Sequence, residues 1–396
     1  MNKRRVVVLS LMAAGLCLVL LIFAGISISQ REEAGHRDRD EAELVIGNLS
    51  GAAVSLFLAG RDVRGAELVD TAGENTLWLP PGRYYLKATT QNISSFYPAS
   101  LLGYRTGPNR EGAYTVTIRT FPLEQPPKLD GGSGEWRFIP AGNSLFGDYR
   151  NPKEAHYVWL TGFFIAPFEV TNREFQMFLS APDGYADDTN WTEAGVRWRS
   201  EHTSNVSSLL PPDHPDAPRF GQPDQPITWV NWFEADAFCH WLTRIRGNGK
   251  WWFSLPNEAE WEKAARGPDG LDFSLSMQIS DQEMHLYNWK KNPIAAVTVI
   301  GIDSSATSFS PNRYGLYHMT GNVVEWTQSV FQPFNRDNPF RNDRRNHREA
   351  EGLRVARGGS WYSGSIAYMY IPYRDAFQPE HSTQDVGFRL VARPLP

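Results

Sequence analysis

The chain has 396 residues, of which 41% are hydrophobic and 13% aromatic, enough apolar surface for two or three packed domains. A formal net charge of −5 excludes the strongly basic face on which nucleic-acid binding depends. The only cysteines are Cys17, inside an apolar N-terminal run, and Cys239, so the rest of the chain has no internal disulfide and must rest on its core.

Residues Val6–Ile28 are apolar almost throughout, and about 20 such residues span a bilayer core. Lys3, Arg4 and Arg5 precede them, which puts the N-terminus in the cytoplasm and the bulk of the chain outside, periplasmic or on the cell surface. The rival reading is a cleaved signal peptide. The run exceeds the roughly 7–15 apolar residues of such signals, and no A-x-A site follows it, so a cytoplasmic tip and an uncleaved transmembrane signal anchor are expected over 1–29.

Residues 30–43 (QREEAGHRDRDEAE) form a charged linker. Over 44–120 the segments LVIGNL, AVSLFLAG, NTLWLP, RYYLKATT and YTVTIRTF alternate or run apolar between turn residues, which predicts a small all-β sandwich. Its Leu79-Pro80-Pro81-Gly82-Arg83 turn resembles the hairpin of PEGA-type extracytoplasmic repeats. Residues 121–133 (FPLEQPPKLDGGS) read as a second linker, and 134–396 as a second domain.

In that domain Thr171 is placed to cap a helix, with Glu174 three residues on completing a capping box and Phe175, Phe178 and Leu179 on one face. Residues 180–225 are irregular, and Asp183, Asp187 and Asp188 lack the spacing of a calcium loop. A helix is expected over 226–245, with Ala235, Phe238, Cys239 and Leu242 inward, which makes Cys239 a core thiol. Another should begin at Pro256 and Asn257 and end at Gly267. The arginine-rich stretch 331–351 suits a solvated loop or an anion site; Asp337, Asp343, Glu349 and Glu351 partly neutralise it and favour the loop. Glu325, between Val324 and Trp326, is either solvated or buried with a partner.

From Glu135 onward the chain resembles the formylglycine-generating-enzyme, or sulfatase-modifying-factor, family. The resemblance rests on WRFIPAGNSLFGD (136–148), Glu169-Val170-Thr171-Asn172, PITWVNWFEADAFCHWLTRI (226–245) and LPNEAEWEKAARG (255–267). It continues through PNRYGLYHMTGNVVEW (311–326), RVARGGSW (354–361) and DVGFRLV (385–391). It implies an irregular α+β domain of C-type-lectin-like fold, preceded here by the small β-sandwich and the membrane helix.

The family's oxidases bind copper through two cysteines just after the GGS motif. Counted from Gly358-Gly359-Ser360, those places hold Ser363 and Tyr368. A hydroxyl and a phenol do not replace the thiolates that cuprous ion needs, so copper is not expected. The resemblance also implies structural calcium at Gly321, Val323 and Glu325, although His318 stands where that site has an oxygen ligand. The metal-free alternative pairs Glu325 with Arg357 or Arg389.

The pocket should be lined by Ser360, Trp361, Ser363, Tyr368, Tyr370 and Arg374, with Tyr362 and Tyr373 nearby, residue types common in recognition surfaces. The function expected is membrane-anchored binding of an extracytoplasmic protein, peptide or glycan without the oxidase chemistry. The alternatives are a different oxidative tailoring activity and, last, formylglycine generation itself.

Overall fold

A computed structural model describes the backbone of strands between residues 42 and 118, and residues 124–395 apart from 129–134, 152, 203–219, 269, 275–310, 335–339 and 341–343. The apolar run at 6–28 and the linker up to residue 41 lie outside the described residues. Among the described residues no helix is long and apolar enough to cross a membrane. The chain divides into two units, one reaching Gln125 with the short segment Phe138–Gly142, the other Pro126–Arg137 with Asn143–Pro396.

The first unit holds β1 (Ala42–Asn48), β2 (Ser55–Gly60), β3 (Ala66–Val69), β4 (Glu74–Leu79), β5 (Gly82–Thr89), β6 (Ser94–Leu101) and β7 (Tyr114–Ile118). One sheet has the order β4-β1-β7, with β1 antiparallel to β4 and parallel to β7. The other has the order β3-β2-β5-β6 and is antiparallel throughout. Strands β3 and β6 were not among those expected. Pro98 lies within β6, where proline is tolerated because β6 is an edge strand. The Pro80-Pro81 turn does not close a hairpin: β4 and β5 belong to different sheets, so the turn carries the chain from one to the other.

In the second unit the capping arithmetic holds. Helix α1 (Asn172–Ser180) starts from Thr171, whose side chain accepts from the Glu174 N–H while Glu174 reaches back to the Thr171 backbone. Helix α2 (Glu193–Glu201) is capped by Thr192, and corrects the expectation that 180–225 is irregular throughout. Helix α3 (Trp232–Arg246) begins six residues later than expected, because Asn231 and Glu234 form its capping box and Pro226 is bridged to Thr171 in extended backbone. Strand β8 (Trp251–Ser254) follows, then α4 (Glu258–Arg266) with a third capping box from Asn257 and Glu260; Gly267, at φ 65°, ends it.

The site is organised by β9 (Val324–Val330), in which all seven residues are buried, as a central strand demands. It pairs antiparallel with β10 (Arg354–Arg357), which pairs with β11 (Asp375–Phe377), and parallel with β12 (Val386–Phe388). Two indoles lock α3 to this sheet: Trp326 Nε1 donates to the Val230 carbonyl at 3.0 Å and Trp232 Nε1 to the Thr327 carbonyl at 2.9 Å. Strand β13 (Val391–Pro394) pairs antiparallel with β8.

Among the described residues of the arginine-rich stretch, the expected solvated loop is corrected only in part: several side chains are exposed, but others pack inward. Phe334 and Phe340 are buried and Arg345 lies over both rings. Arg348 donates to Asp236 of α3 and to the Asn190 carbonyl. A charge count overlooks the phenylalanines that give those guanidinium groups something to cover.

The Asn257 cap gives a local test. Asn257→Ala should destabilise the protein by about 1 kcal/mol in urea unfolding, whereas Asn257→Ser, which keeps a capping oxygen, should lose far less.

Candidate functional site

Glu325 is fully buried on β9. Its Oε1 accepts from Arg389 Nη2 at 2.6 Å; its Oε2 accepts from Arg389 Nε at 2.6 Å and from Trp261 Nε1 at 2.7 Å. The remaining Arg389 hydrogens reach the Ala166, Pro167 and Tyr317 carbonyls. Burial pushes the Glu325 carboxyl above its ordinary range, and Arg389 opposes that push. Of the two partners open in the sequence, Arg389 takes Glu325. Arg357 pairs instead with Glu262, although its backbone lies directly across from Glu325 in the sheet.

Beside this pair lies Glu169, also fully buried. It accepts from Asn322 Nδ2 at 2.8 Å, and His318 Nδ1 lies 3.0 Å from its other oxygen. His318 and Asn322 both have left-handed backbone, φ 57° and 63°, which turns the loop onto the carboxylate. Burial works to raise the Glu169 carboxyl, but His318, Arg389 and Asn322 together hold it below its ordinary range.

Calcium does not fit the donors expected for it. Both oxygens of Glu325 already face a guanidinium, which would sit against any added cation. His318 is turned to Glu169 rather than offering an oxygen. Among the described residues no group of three or more His, Cys, Asp and Glu side chains could hold a metal ion.

The glycine pair after β10 shapes the pocket region. Gly359, at φ 66°, passes so close to the Tyr368 carbonyl that an added Cβ would lie 2.8 Å from it. Ser363 and Tyr368, at the places of the copper cysteines, make ordinary contacts. The Ser363 hydroxyl accepts from the Ser360 N–H at 2.8 Å, and the Tyr368 ring stands edge-on to Tyr373 at 4.9 Å. Cys239 is buried in α3, and burial pushes its thiol well above the ordinary range.

The polar floor is built around Asp385. It accepts from Ser360 Oγ at 2.6 Å and from Thr383 Oγ1 at 2.9 Å. Above it stands an aromatic group: Trp361 packs on Phe220 with centroids 5.9 Å apart, Phe220 on Trp229 at 5.1 Å, and Trp361 on Tyr362 at 5.2 Å. Tyr362 is 63% exposed. Trp229 has φ 53°, a conformation a bulky residue adopts only when its surroundings impose it; Ser382 Oγ and the Thr383 carbonyl grip its backbone. Asp375 is pushed up to about 6, first by burial and then by Asp385, against the pull of Tyr373 and Arg357.

Of the candidates named from sequence, Ser360, Trp361, Ser363 and Tyr362 come together, with Tyr368 and Tyr373 beside them. Two do not join them. Arg374 is held bidentate by Glu258 at 2.7 and 3.0 Å and covers Phe331 and Phe334, and Tyr370 donates to Asp148 at 2.8 Å under Arg150. Phe220, Trp229, Thr383, Asp375 and Asp385 were missed. Asp385 stood within the DVGFRLV motif, but nothing in a sequence shows that its partner lies 25 positions earlier.

Of this aromatic group Tyr362 is the exposed ring, while Phe220, Trp361 and Ser360 are buried, so a ligand would meet the Tyr362 face first. The arrangement offers no thiolate pair for redox work.

Asp375 gives a pH test. Its folded value lies above the ordinary 3.8, so its favourable contribution is present below that value and is lost as pH rises through about 6. Asp375→Asn should therefore melt several degrees above the wild type at pH 7 and lose that advantage near pH 4, as followed by calorimetry.

A family model for the sulfatase-modifying factor enzyme 1-like domain matches residues 130–394. The chain is 28% identical to the mouse (Mus musculus) formylglycine-generating enzyme over 276 residues, covering 61% of this chain and 69% of that protein. It is 28% identical to the mouse inactive C-alpha-formylglycine-generating enzyme 2, covering 64% of this chain and 84% of that protein. Among solved structures, Treponema denticola variable protein 1 superposes with a TM-score of 0.50 at 24% identity, covering 69% of this chain and all of that one, a likeness of fold.

Proposed function

Because the chain belongs to the sulfatase-modifying factor enzyme 1-like family, we propose that it keeps the family's scaffold and pocket while binding rather than oxidising, as an accessory protein for an extracytoplasmic protein, peptide or glycan. The observation that carries this reading is the chemistry at the two copper positions. Ser363 and Tyr368 offer hard oxygens, Ser363 is engaged by the Ser360 backbone, and the one thiol of the domain, Cys239, is buried in α3. Cuprous ion needs soft ligands, and a single inward thiol supplies no pair.

The binding chemistry falls to the aromatic group and its polar floor. Tyr362 and Trp361 supply flat faces, Trp229 is held in a strained conformation beside them, and Asp385 fixes the Ser360 and Thr383 hydroxyls. Preorganised groups of this kind lower the entropy lost on binding. In this reading the segment 6–28 anchors the protein, and the strands of 44–120 pack as a β-sandwich of their own.

The test supplies the purified full chain with a cysteine-containing sulfatase peptide, cuprous ion, oxygen and a reductant, and follows the peptide by mass. The peptide should return unmodified, and the protein should bind cuprous ion no better than a thiol-free control. Aldehyde product that disappears in a Cys239→Ser variant would overturn the reading. In intact cells, added protease should digest the domain; digestion only after lysis would remove the extracytoplasmic part of the proposal.

A further inference from the structure

A small sheet turns an aromatic face to solvent. Strands Gly142–Phe146 and His156–Leu160 pair with each other in a two-stranded sheet. Successive side chains point to opposite faces of a strand, so each strand has an inner and an outer set. The inner set packs: Phe146, Val158 and Leu160 are buried with Phe334, Phe340 and Ala259. The outer set is Asn143, Leu145, Tyr157 and Trp159, of which Leu145 is half-buried. Tyr157 is 75% exposed and Trp159 50%. The Tyr362 site uses none of these residues.

A single exposed aromatic ring is ordinary. Two rings at alternate positions of one strand make a pattern, because they project from the same face with Cα atoms about 7 Å apart. The inner set already supplies the packing that the sheet needs, so the fold does not ask for rings on the outside.

Charge, size and surface chemistry then select the occupant. The outer set carries no charge, and the loop between the strands sets Asp148 and Glu154 against Arg150 and Lys153, with Arg150 Nε 3.0 Å from Asp148 Oδ1. Balanced signs around an uncharged face draw neither an anionic nor a cationic partner. Two five-residue strands cover about 17 Å by 10 Å, or roughly 170 Å². A second copy or another protein needs about 800 Å² on each side, so this face alone is too small for one. A sugar ring has an apolar C–H face and a rim of hydroxyls. The first suits the rings of Tyr157 and Trp159, and the second suits the Asn143 amide and the Tyr157 hydroxyl. A chain of linked rings engages both aromatic positions at once, and its second contact is then intramolecular. We propose that this face is a second binding surface, for an uncharged, extended glycan of β-1,4-linked pyranose rings.

Affinity electrophoresis of the full chain in neutral detergent, with hydroxyethyl cellulose in the gel, reads this directly. The wild type should be retarded in proportion to the polymer added. Tyr157→Ala with Trp159→Ala should weaken the retention about tenfold or more, as the loss of two stacking contacts implies. Tyr157→Phe, which keeps the ring, should retain most of it. Both positions are exposed, so the variants should fold, which circular dichroism checks. Carboxymethyl cellulose, the anionic counterpart, should hold the wild type no better than the neutral polymer. An unretarded wild type, equal retardation of wild type and double variant, or stronger retention by the anionic polymer would overturn the proposal. So would a dimer in sedimentation that the double variant loses, which gives the face to a second copy. Stronger partition of the wild type than of the double variant into phosphatidylcholine vesicles would give it to a membrane surface and overturn the proposal equally.

Discussion

Strand β9 carries a carboxylate into the middle of a sheet, where water cannot follow, and the protein answers with a fixed cation. Glu325 and Arg389 are both fully buried and meet through two hydrogen bonds of 2.6 Å, with Trp261 adding a third donor. An isolated charge there would cost several kcal/mol, so each group depends on the other. Arg389 also ties the pair to the Ala166, Pro167 and Tyr317 carbonyls, so one guanidinium joins β9 to the turn before α1 and to the loop before β9. Around it Glu169 holds His318 and Asn322, and Glu262 holds Arg266 and Arg357. The loop before β9 is therefore fixed by charge pairs. Val324 N–H donates to the Asp385 carbonyl at 2.8 Å, which carries that fixing into the pocket itself.

The charge pairs that hold the fold do not include Ser363 or Tyr368, so the scaffold's support does not depend on either residue. Asp375 is pushed up to about 6 by burial and by Asp385.

The sequence made the local chemistry of the second unit legible and left its long-range choices open. Thr171 with Glu174, and Asn257 with Gly267, announced helix ends because capping is settled within a few residues. Helix α2 went unread because EAGVRWRSE has a glycine and little apolar periodicity; its place is set by Thr192 and packing. The sequence left Glu325 either solvated or buried with a partner, and for the partner it offered Arg357 and Arg389 equally. Even the strand register would have misled, since Arg357 lies opposite Glu325 and still reaches Glu262. Arg374 and Tyr370 looked like pocket residues by position alone, yet Glu258 and Asp148 claim them from distant parts of the chain. Trp229 and Phe220 could not be placed, because their role comes from a backbone conformation and a contact with Trp361 that no spacing encodes.

The most direct measurement of the central claim is the melting temperature of the wild type and of Glu325→Gln, each with calcium and with a chelator. If an internal charge pair holds the domain, the substitution leaves Arg389 buried and unpaired. It should cost about 3–5 kcal/mol, a drop of many degrees, and the chelator should move neither protein. A wild type that falls to the level of the variant when calcium is removed would contradict the account, as would a variant that melts within a degree or two of the wild type.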